Sequence, residues 1–122
     1  MWIFTRYGFY SIACASKPDG SLDPQFIMVR ARCKAHLTGL QERFPKLGGE
    51  ILESPKRDYR FRLILSKVSW IAIVSELAKE QEWSNFKAEV AKYQGARGGQ
   101  YVGALHDVWG VMYELQQDQD RQ

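Results

Sequence analysis

The chain has 122 residues, of which 45% are hydrophobic and 13% aromatic, with 17 Lys and Arg against 14 Asp and Glu. This composition excludes the collagen-like, low-complexity and disordered classes, because it supplies enough large apolar side chains for a folded core. A net charge of +3 is too small by itself to indicate a nucleic-acid partner.

The sequence shows no targeting signal and no metal motif. The first positive charge, Arg6, follows the apolar opening residues, unlike in a secretory signal. No stretch approaches the ~20 apolar residues that span a bilayer. Cys14 and Cys33 lie far apart without a CxxC spacing or a nearby histidine cluster. We therefore expect a cytoplasmic protein with two free, buried thiols, no membrane association, no bound metal and no cofactor.

The pattern in the first third of the chain predicts a β-hairpin. Residues 2–15 are rich in aromatic and β-branched side chains, which favours a strand, and the Pro- and Asp-rich residues 16–24 favour a loop. Apolar and polar side chains then alternate over 26–32, with Arg30 and Arg32 of one parity. This pattern predicts a second strand, antiparallel to the first and buried on one face.

A short helix and a second basic strand follow. Apolar spacing from residue 35 to Phe44 predicts an amphipathic helix that Pro45 stops. Residues 50–54 are a weak strand candidate. Residues 58–65 are a strong one, in which Tyr59, Phe61, Leu63 and Leu65 share the apolar parity and Arg60 and Arg62 the other.

The rest of the chain has helical spacing. Ser66 is placed to cap a first helix and Ser84 a second, and three glycines precede a third. We expect Trp109 and Met112 of the third helix to belong to the core. The apolar stripes of the three helices contain Trp70, Ile73, Val74 and Leu77; Phe86, Val90 and Tyr93; and Tyr101, Leu105, Val108, Trp109, Met112 and Leu115.

These elements predict a single α+β domain over 1–122. Its antiparallel sheet has the order β-β-α-β-β along the chain, on a ferredoxin-like plan, with helices covering one face and a C-terminal helical extension. The strand-rich part spans 1–66, the helical part 67–116, and the tail 117–122 is expected to fray. The pattern leaves the strand order open.

The charges are divided unevenly between the two parts. Residues 1–62 hold 11 basic and 6 acidic side chains, whereas residues 63–122 hold 6 and 8. Arginine on a strand presents a planar fork of donors that suits phosphate and stacks on bases. We therefore expect the sheet to bind an anionic ligand, single-stranded nucleic acid or RNA above all. The candidate residues are Arg6, Tyr7, Arg30, Arg32, Arg60 and Arg62.

Two alternatives stay open for the basic strands and their aromatic neighbours. The arginines can instead form a solvated face paired with Glu50, Glu53 or Asp58, with the aromatics in the core. The protein can also be a regulatory, protein-binding module whose oppositely charged parts meet a partner or a second copy in a homodimer. Nothing in the sequence identifies that partner.

Catalysis is the third hypothesis, and the sequence favours binding over it. No phosphate-binding glycine loop, nucleophile elbow or catalytic cysteine pattern occurs. A small phosphodiester or nucleotide hydrolase would have to use polar groups on facing helices. Its candidate residues are Asn85, Lys87, Glu89, His106, Asp107 and Tyr113. Alternatively, His106 donates to a backbone carbonyl or to Glu89.

The chain contains three distinctive motifs: W-I-F-T-x-x-G-F-x-S at 2–11, N-F-K-x-E-V-A at 85–91 and H-D-V-W-x-x-M-Y at 106–113. With these motifs the sequence resembles a family of short uncharacterised bacterial proteins over nearly its whole length. The resemblance implies a free-standing bacterial cytoplasmic protein and assigns no catalytic residue.

Overall fold

The structure, a computed structural model, describes residues 1–121 and divides the chain into two compact units, Met1–Glu82 and Trp83–Gln122. The first unit holds one five-stranded sheet of order β1-β2-β3-β5-β4, in which every neighbouring pair is antiparallel. Its strands and helices are β1 (Trp2–Thr5), β2 (Gly8–Ser16), β3 (Leu22–Ala31), α1 (Lys34–Arg43), β4 (Leu52–Glu53), β5 (Phe61–Ser66) and α2 (Lys67–Lys79). The second unit holds α3 (Phe86–Gln94) and α4 (Gly99–Asp120).

The predicted first strand is two strands joined by a tight turn. The Thr5 hydroxyl accepts hydrogen bonds from the backbone N–H groups of Tyr7 and Gly8, at 3.1 Å each, and so holds the chain in its reversal. Aromatic and β-branched residues favour a strand on both sides of this turn, so composition alone does not reveal it. Three strands therefore precede α1, where the sequence predicts two.

The sheet buries one face against α1 and α2. In the register of β3 with β5, Val29 lies opposite Leu63 and Ile27 opposite Leu65, and all four are buried. The core also includes Tyr10, Ile12, Ala31, Leu37, Leu40, Trp70 and Ile73. Because both helices cover the same face, the predicted α+β fold with a one-sided helix layer is confirmed.

The ends of the elements follow ordinary capping rules. Ser66 caps α2 as predicted, with its hydroxyl accepting from the Ser69 N–H at 3.1 Å. In the second unit the capping residue is Asn85, whose Oδ1 accepts from the Ala88 N–H at 2.9 Å, and not Ser84. Ser84 and Asn85 are both good capping residues, so propensity does not distinguish them.

The last helix differs most from its prediction. α4 extends to Asp120, beyond residue 116 where the helical part was predicted to end. Val90, Tyr101 and Leu105 form the buried part of the second unit. The assignment of Trp109 and Met112 to the core is wrong, because these side chains are 53% and 56% exposed.

Both cysteines are free, but only Cys14 is partly buried; Cys33 is exposed just before α1, so the prediction of two buried thiols is wrong for it. None of the helices in residues 1–121 combines the length and apolarity that crossing a membrane requires. Within the same residues, no three His, Cys, Asp or Glu side chains are grouped where they could hold a metal ion.

Candidate anion-binding face of the sheet

The sheet face opposite α1 and α2, here called the outer face, carries both arginines and aromatics. Side chains on successive strand residues point to opposite faces, so the residues between the core positions share this one. The register places on it Trp2, Phe4, Phe9, Ser11, Met28, Arg30, Arg62 and Ile64. Trp2 is 68% exposed and Ile64 40% exposed, so part of the apolar surface of this face is open to solvent.

Four aromatic rings form a continuous row across this face. The Phe9 ring lies 4.6 Å from Phe4 in a stacked arrangement and 5.8 Å from Trp2 edge to face. On its other side Phe9 approaches Tyr59, with ring centroids 6.5 Å apart. Aromatic pairs prefer such stacked and edge-to-face arrangements, so the four rings form one apolar surface.

Two arginines lie directly opposite each other at the centre of the outer face. The β3–β5 register pairs Arg30 with Arg62, and like charges opposite each other destabilise a sheet. Arg30 Nη2 donates to the Ser11 hydroxyl and Arg62 Nη2 to the Ser54 hydroxyl, both at 2.8 Å. Within residues 1–121 neither has a carboxylate at ion-pair distance. Serine orients these cations without neutralising them.

Tyr59 joins the arginines to the aromatic row. The guanidinium carbons of Arg30 and Arg32 lie 4.9 and 4.4 Å from its ring centroid. Arg32 also donates to Asp58 Oδ1 at 2.9 Å, and this bond raises the pKa of Arg32. Cations over an aromatic ring are attracted by its quadrupole, so Tyr59 helps to hold both guanidinium groups on this face.

Tyr59 does not lie on the apolar side of β5, where its parity predicted it. Its parity assigned it to the apolar side of a strand over 58–65, but β5 begins only at Phe61. The preceding residues form a turn, so alternation does not extend to Tyr59, which lies with the arginines instead.

A shallow depression of about 410 Å³ lies between the arginines. It is lined by Met28, Arg30, Arg57, Asp58, Tyr59 and Arg62. The lining supplies three guanidinium groups and one carboxylate, together with an aromatic ring and a thioether. This volume falls within the range of about 300–1,000 Å³ that small-molecule sites occupy. The depression can therefore accommodate an anionic group attached to a planar ring.

The other predicted anion-binding residues lie elsewhere or are paired. Tyr7 is buried, and its hydroxyl contacts Glu80, whose carboxylate also lies 3.5 Å from Arg6 Nε. Arg60 Nε donates to Glu53 at 2.9 Å beside the short edge strand β4. The pairing alternative thus describes Arg60 and Arg32, whereas Arg30 and Arg62 have no carboxylate at ion-pair distance within residues 1–121.

The helical candidates form a separate cluster within the second unit. Lys87 Nζ lies 3.4 Å from His106 Nδ1 and 4.9 Å from the ring centroid of Trp109. His106 and Tyr113 stack on either side of Trp109, with centroids 6.0 and 5.3 Å away. Tyr113 thus packs on an indole and does not converge on the imidazole.

The remaining helical candidates take other positions. Asn85 uses its side chain to cap α3, while Glu89 is half-buried on that helix and Asp107 is exposed on α4. His106 was expected to donate to a backbone carbonyl or to Glu89. The contact found is between its Nδ1 and the Nζ of Lys87. The cluster is an aromatic ladder with a cation at its side.

Several outer-face residues are absent from the sequence predictions. Trp2 and Phe4 share the parity of Phe9 across the first turn, so alternation about Gly8 was a usable signal. Arg57 lines the depression and Ser54 contacts Arg62; both lie outside the strands, where no periodic pattern applies. Comparison with known proteins found no match: no family model, no curated protein and no solved structure is significantly similar to this chain. The resemblance to short bacterial proteins therefore stays a prediction.

Proposed function

We propose that the protein binds single-stranded nucleic acid, RNA in particular, through the outer face of its sheet. The observation that carries this proposal is the Arg30–Arg62 pair, two cations that line one depression without a carboxylate at ion-pair distance in residues 1–121. A phosphate in this depression would accept charge-assisted hydrogen bonds from arginine nitrogens that have no carboxylate partner. The serine hydroxyls already fix one nitrogen of each guanidinium, so little ordering is needed on binding.

The aromatic row supports a ligand with bases over a bare phosphate. Sheet-based RNA binders stack unpaired bases on strand aromatics while arginines contact the backbone. On the outer face the Phe9 ring contacts Trp2 and Phe4 on one side and Tyr59 on the other. Tyr59 in turn lies beside the arginines. Every base has a flat face, so such a row would bind single strands with little sequence preference. A duplex keeps its bases stacked inside and could not use it.

Charge supports the same ligand. The unit that contains the sheet holds 13 Lys and Arg against 9 Asp and Glu, whereas the second unit holds 4 against 5. The excess of positive charge therefore lies in the unit that carries the proposed site. Phosphate contacts release counterions, so affinity would fall steeply with salt.

The experiment measures fluorescence anisotropy of a labelled oligouridylate of about 12 nucleotides at low salt. Replacing Arg30 and Arg62 by alanine should weaken binding by about tenfold or more, because two phosphate contacts are lost. The matched control is Lys34→Ala with Lys79→Ala, which removes two charges from α1 and α2 on the other face. It should bind nearly as the parent does.

Two outcomes would contradict the proposal. If the double-arginine variant binds like the parent, the outer face is not the site. If both double variants weaken equally, binding reflects net charge alone. A duplex competitor of the same length tests the role of the bases, since equal competition by duplex would remove the stacking part of the proposal.

A further inference from the structure

The depression on the outer face contains a carboxylate that a site for phosphate alone would not need. Asp58 lines it together with Arg30, Arg57 and Arg62. A carboxylate repels the phosphate that the three guanidinium groups attract, so it lowers the affinity of the depression for a bare anion. Asp58 therefore indicates a ligand that carries hydrogen-bond donors as well as negative charge.

The Asp58 carboxylate keeps most of its hydrogen-bonding capacity. Its Oδ1 accepts from Arg32 Nη1 at 2.9 Å, and its Oδ2 accepts no hydrogen bond from any group in residues 1–121. A carboxylate has about four lone-pair positions, so most of them remain available to a ligand. The side chain is 75% exposed, which leaves these positions accessible.

Arg57, the residue before Asp58, is a cation without a partner of its own. Its guanidinium makes no hydrogen bond or ion pair within the part of the chain that the structure describes. Arg30 and Arg62, in contrast, each use one nitrogen on a serine hydroxyl. Arg57 and Asp58 thus supply hydrogen-bond donors and acceptors from adjacent residues of one turn, in a lining that also includes the Tyr59 ring.

Among the four RNA bases, guanine alone complements both members of this pair. Its N1–H and N2 amino groups are adjacent donors, which suit a carboxylate, and its O6 and N7 are adjacent acceptors, which suit a guanidinium. Uracil has a single ring N–H between two carbonyl oxygens, and those oxygens would face the carboxylate. Adenine and cytosine each have one amino group beside an acceptor nitrogen, so neither offers two adjacent donor groups.

We infer that the depression selects guanine, an inference that rests on the proposed binding of single-stranded RNA. Asp58 accepts from the N1–H and the N2 amino group, Arg57 donates to O6 and N7, and the Tyr59 ring contacts the plane of the base. Arg30 and Arg62 bind the adjacent phosphate. The volume of about 410 Å³ suits one nucleotide. The preference therefore concerns a single position, while the aromatic row binds the neighbouring bases without selection.

Fluorescence anisotropy with two labelled strands at low salt tests this preference. One strand is the oligouridylate, and the other carries a single guanosine at its centre. The parent should bind the guanosine strand about tenfold more tightly, because a bidentate contact discriminates between bases. Inosine at the same position lacks the N2 amino group and should lose most of this gain. Equal affinity for the guanosine and uridine strands would overturn the inference and leave the proposed function in place, whereas a parent that binds neither strand would overturn both.

Two pairs of variants assign the preference to the depression. Asp58→Asn should bind the uridine strand at least as tightly as the parent and lose the preference for guanosine, because an amide replaces one acceptor oxygen with a donor. Glu53→Gln, which removes a carboxylate paired with Arg60 outside the depression, is its control and should keep the preference. Arg57→Ala should reduce the preference, whereas Lys56→Ala, at the exposed neighbouring residue, should not. An Asp58→Asn variant that keeps the full preference would overturn the inference.

Discussion

The Tyr7 hydroxyl lies 2.8 and 2.9 Å from the two carboxylate oxygens of Glu80, although 73 residues separate them in the chain. Arg43 Nε donates to the same carboxylate at 2.9 Å, and Arg6 Nε lies 3.5 Å away. Burial is the main cause that raises the pKa of Tyr7, and the hydrogen bond to Glu80 raises it further. The phenol therefore stays protonated. This network ties the β1–β2 turn to the ends of α1 and α2.

Glu80→Ala should therefore lower the free energy of unfolding by about 2 kcal/mol, because it removes the carboxylate that a buried hydroxyl and two arginines share. Tyr7→Phe should cost about 1 kcal/mol, since the arginines keep Glu80 paired. Glu76→Ala on the same helix is the control: its partner Lys79 is exposed, and the loss should stay below about 0.5 kcal/mol. Urea unfolding measures all three, and equal losses for Glu80→Ala and Glu76→Ala would contradict the network.

Stability should depend on pH through His36. Its Nδ1 accepts the Phe9 N–H at 3.2 Å, and burial lowers the pKa of His36 below its ordinary value of about 6.5. Below that value the unfolded chain takes up a proton that the folded chain does not. The stabilisation is complete above about pH 6.5 and is lost as the pH falls toward the lower folded pKa.

Urea midpoints of the parent and His36→Asn, measured across this pH range, should differ in slope, with the variant less sensitive to acid. Acidic groups contribute to the pH dependence of both proteins, so the relevant quantity is the difference between their two slopes of urea midpoint against pH. His106→Asn, which replaces an exposed histidine of α4, is the matched control. Identical slopes for the parent and His36→Asn would show that His36 does not carry the dependence.

Gly8 should not tolerate a side chain. A Cβ at this position would fall within the volume of the His36 ring, which packs directly on the strand. Gly8→Ala should therefore destabilise the protein by about 1–3 kcal/mol, the usual cost of overpacking. Gly103→Ala, at an open position inside α4, should stabilise it by up to about 1 kcal/mol. Thermal unfolding distinguishes the two, and a neutral Gly8→Ala would show that the ring can move aside.

Substitutions of Asp58 and Tyr59 should change the affinity for the oligouridylate in opposite directions. Asp58→Asn removes the carboxylate in the depression and releases Arg32 from its ion pair, so binding should tighten by a few-fold. Tyr59→Ala removes a stacking ring that also holds two guanidinium groups, and binding should weaken by about tenfold. Anisotropy titrations measure both, and a weakened Asp58→Asn variant would show that the carboxylate contributes to binding.

The periodic parts of the sequence were sufficient to predict the layers of the fold. Alternation in β3 and β5 identifies the buried residues Val29 and Leu63 and places Arg30 and Arg62 together on the other parity. The direct opposition of those two arginines depends on the register, which a single strand pattern does not contain. The position of Tyr59 is not predictable for a different reason. Tyr59 lies in a turn, where side chains do not alternate between two faces.

Apolar spacing also does not say whether a helix stripe is covered. It identifies Tyr101 and Met112 as members of one stripe, yet the first is buried and the second exposed. The difference comes from the length of α3, which is set by the Asn85 cap at one end and by Gly95 at the other, where φ is +64°. Tertiary cover, unlike periodicity, depends on a neighbour that is distant in sequence.

A helix packed over its first turns and bare over its last will not exchange its amide protons at one rate. Amides near Tyr101 and Leu105 open only when the second unit comes apart, whereas those beyond Met112 can fray turn by turn from the end. α4 is thus two dynamic segments within one continuous hydrogen-bonded helix. The boundary between them falls where α3 begins, close to Trp109.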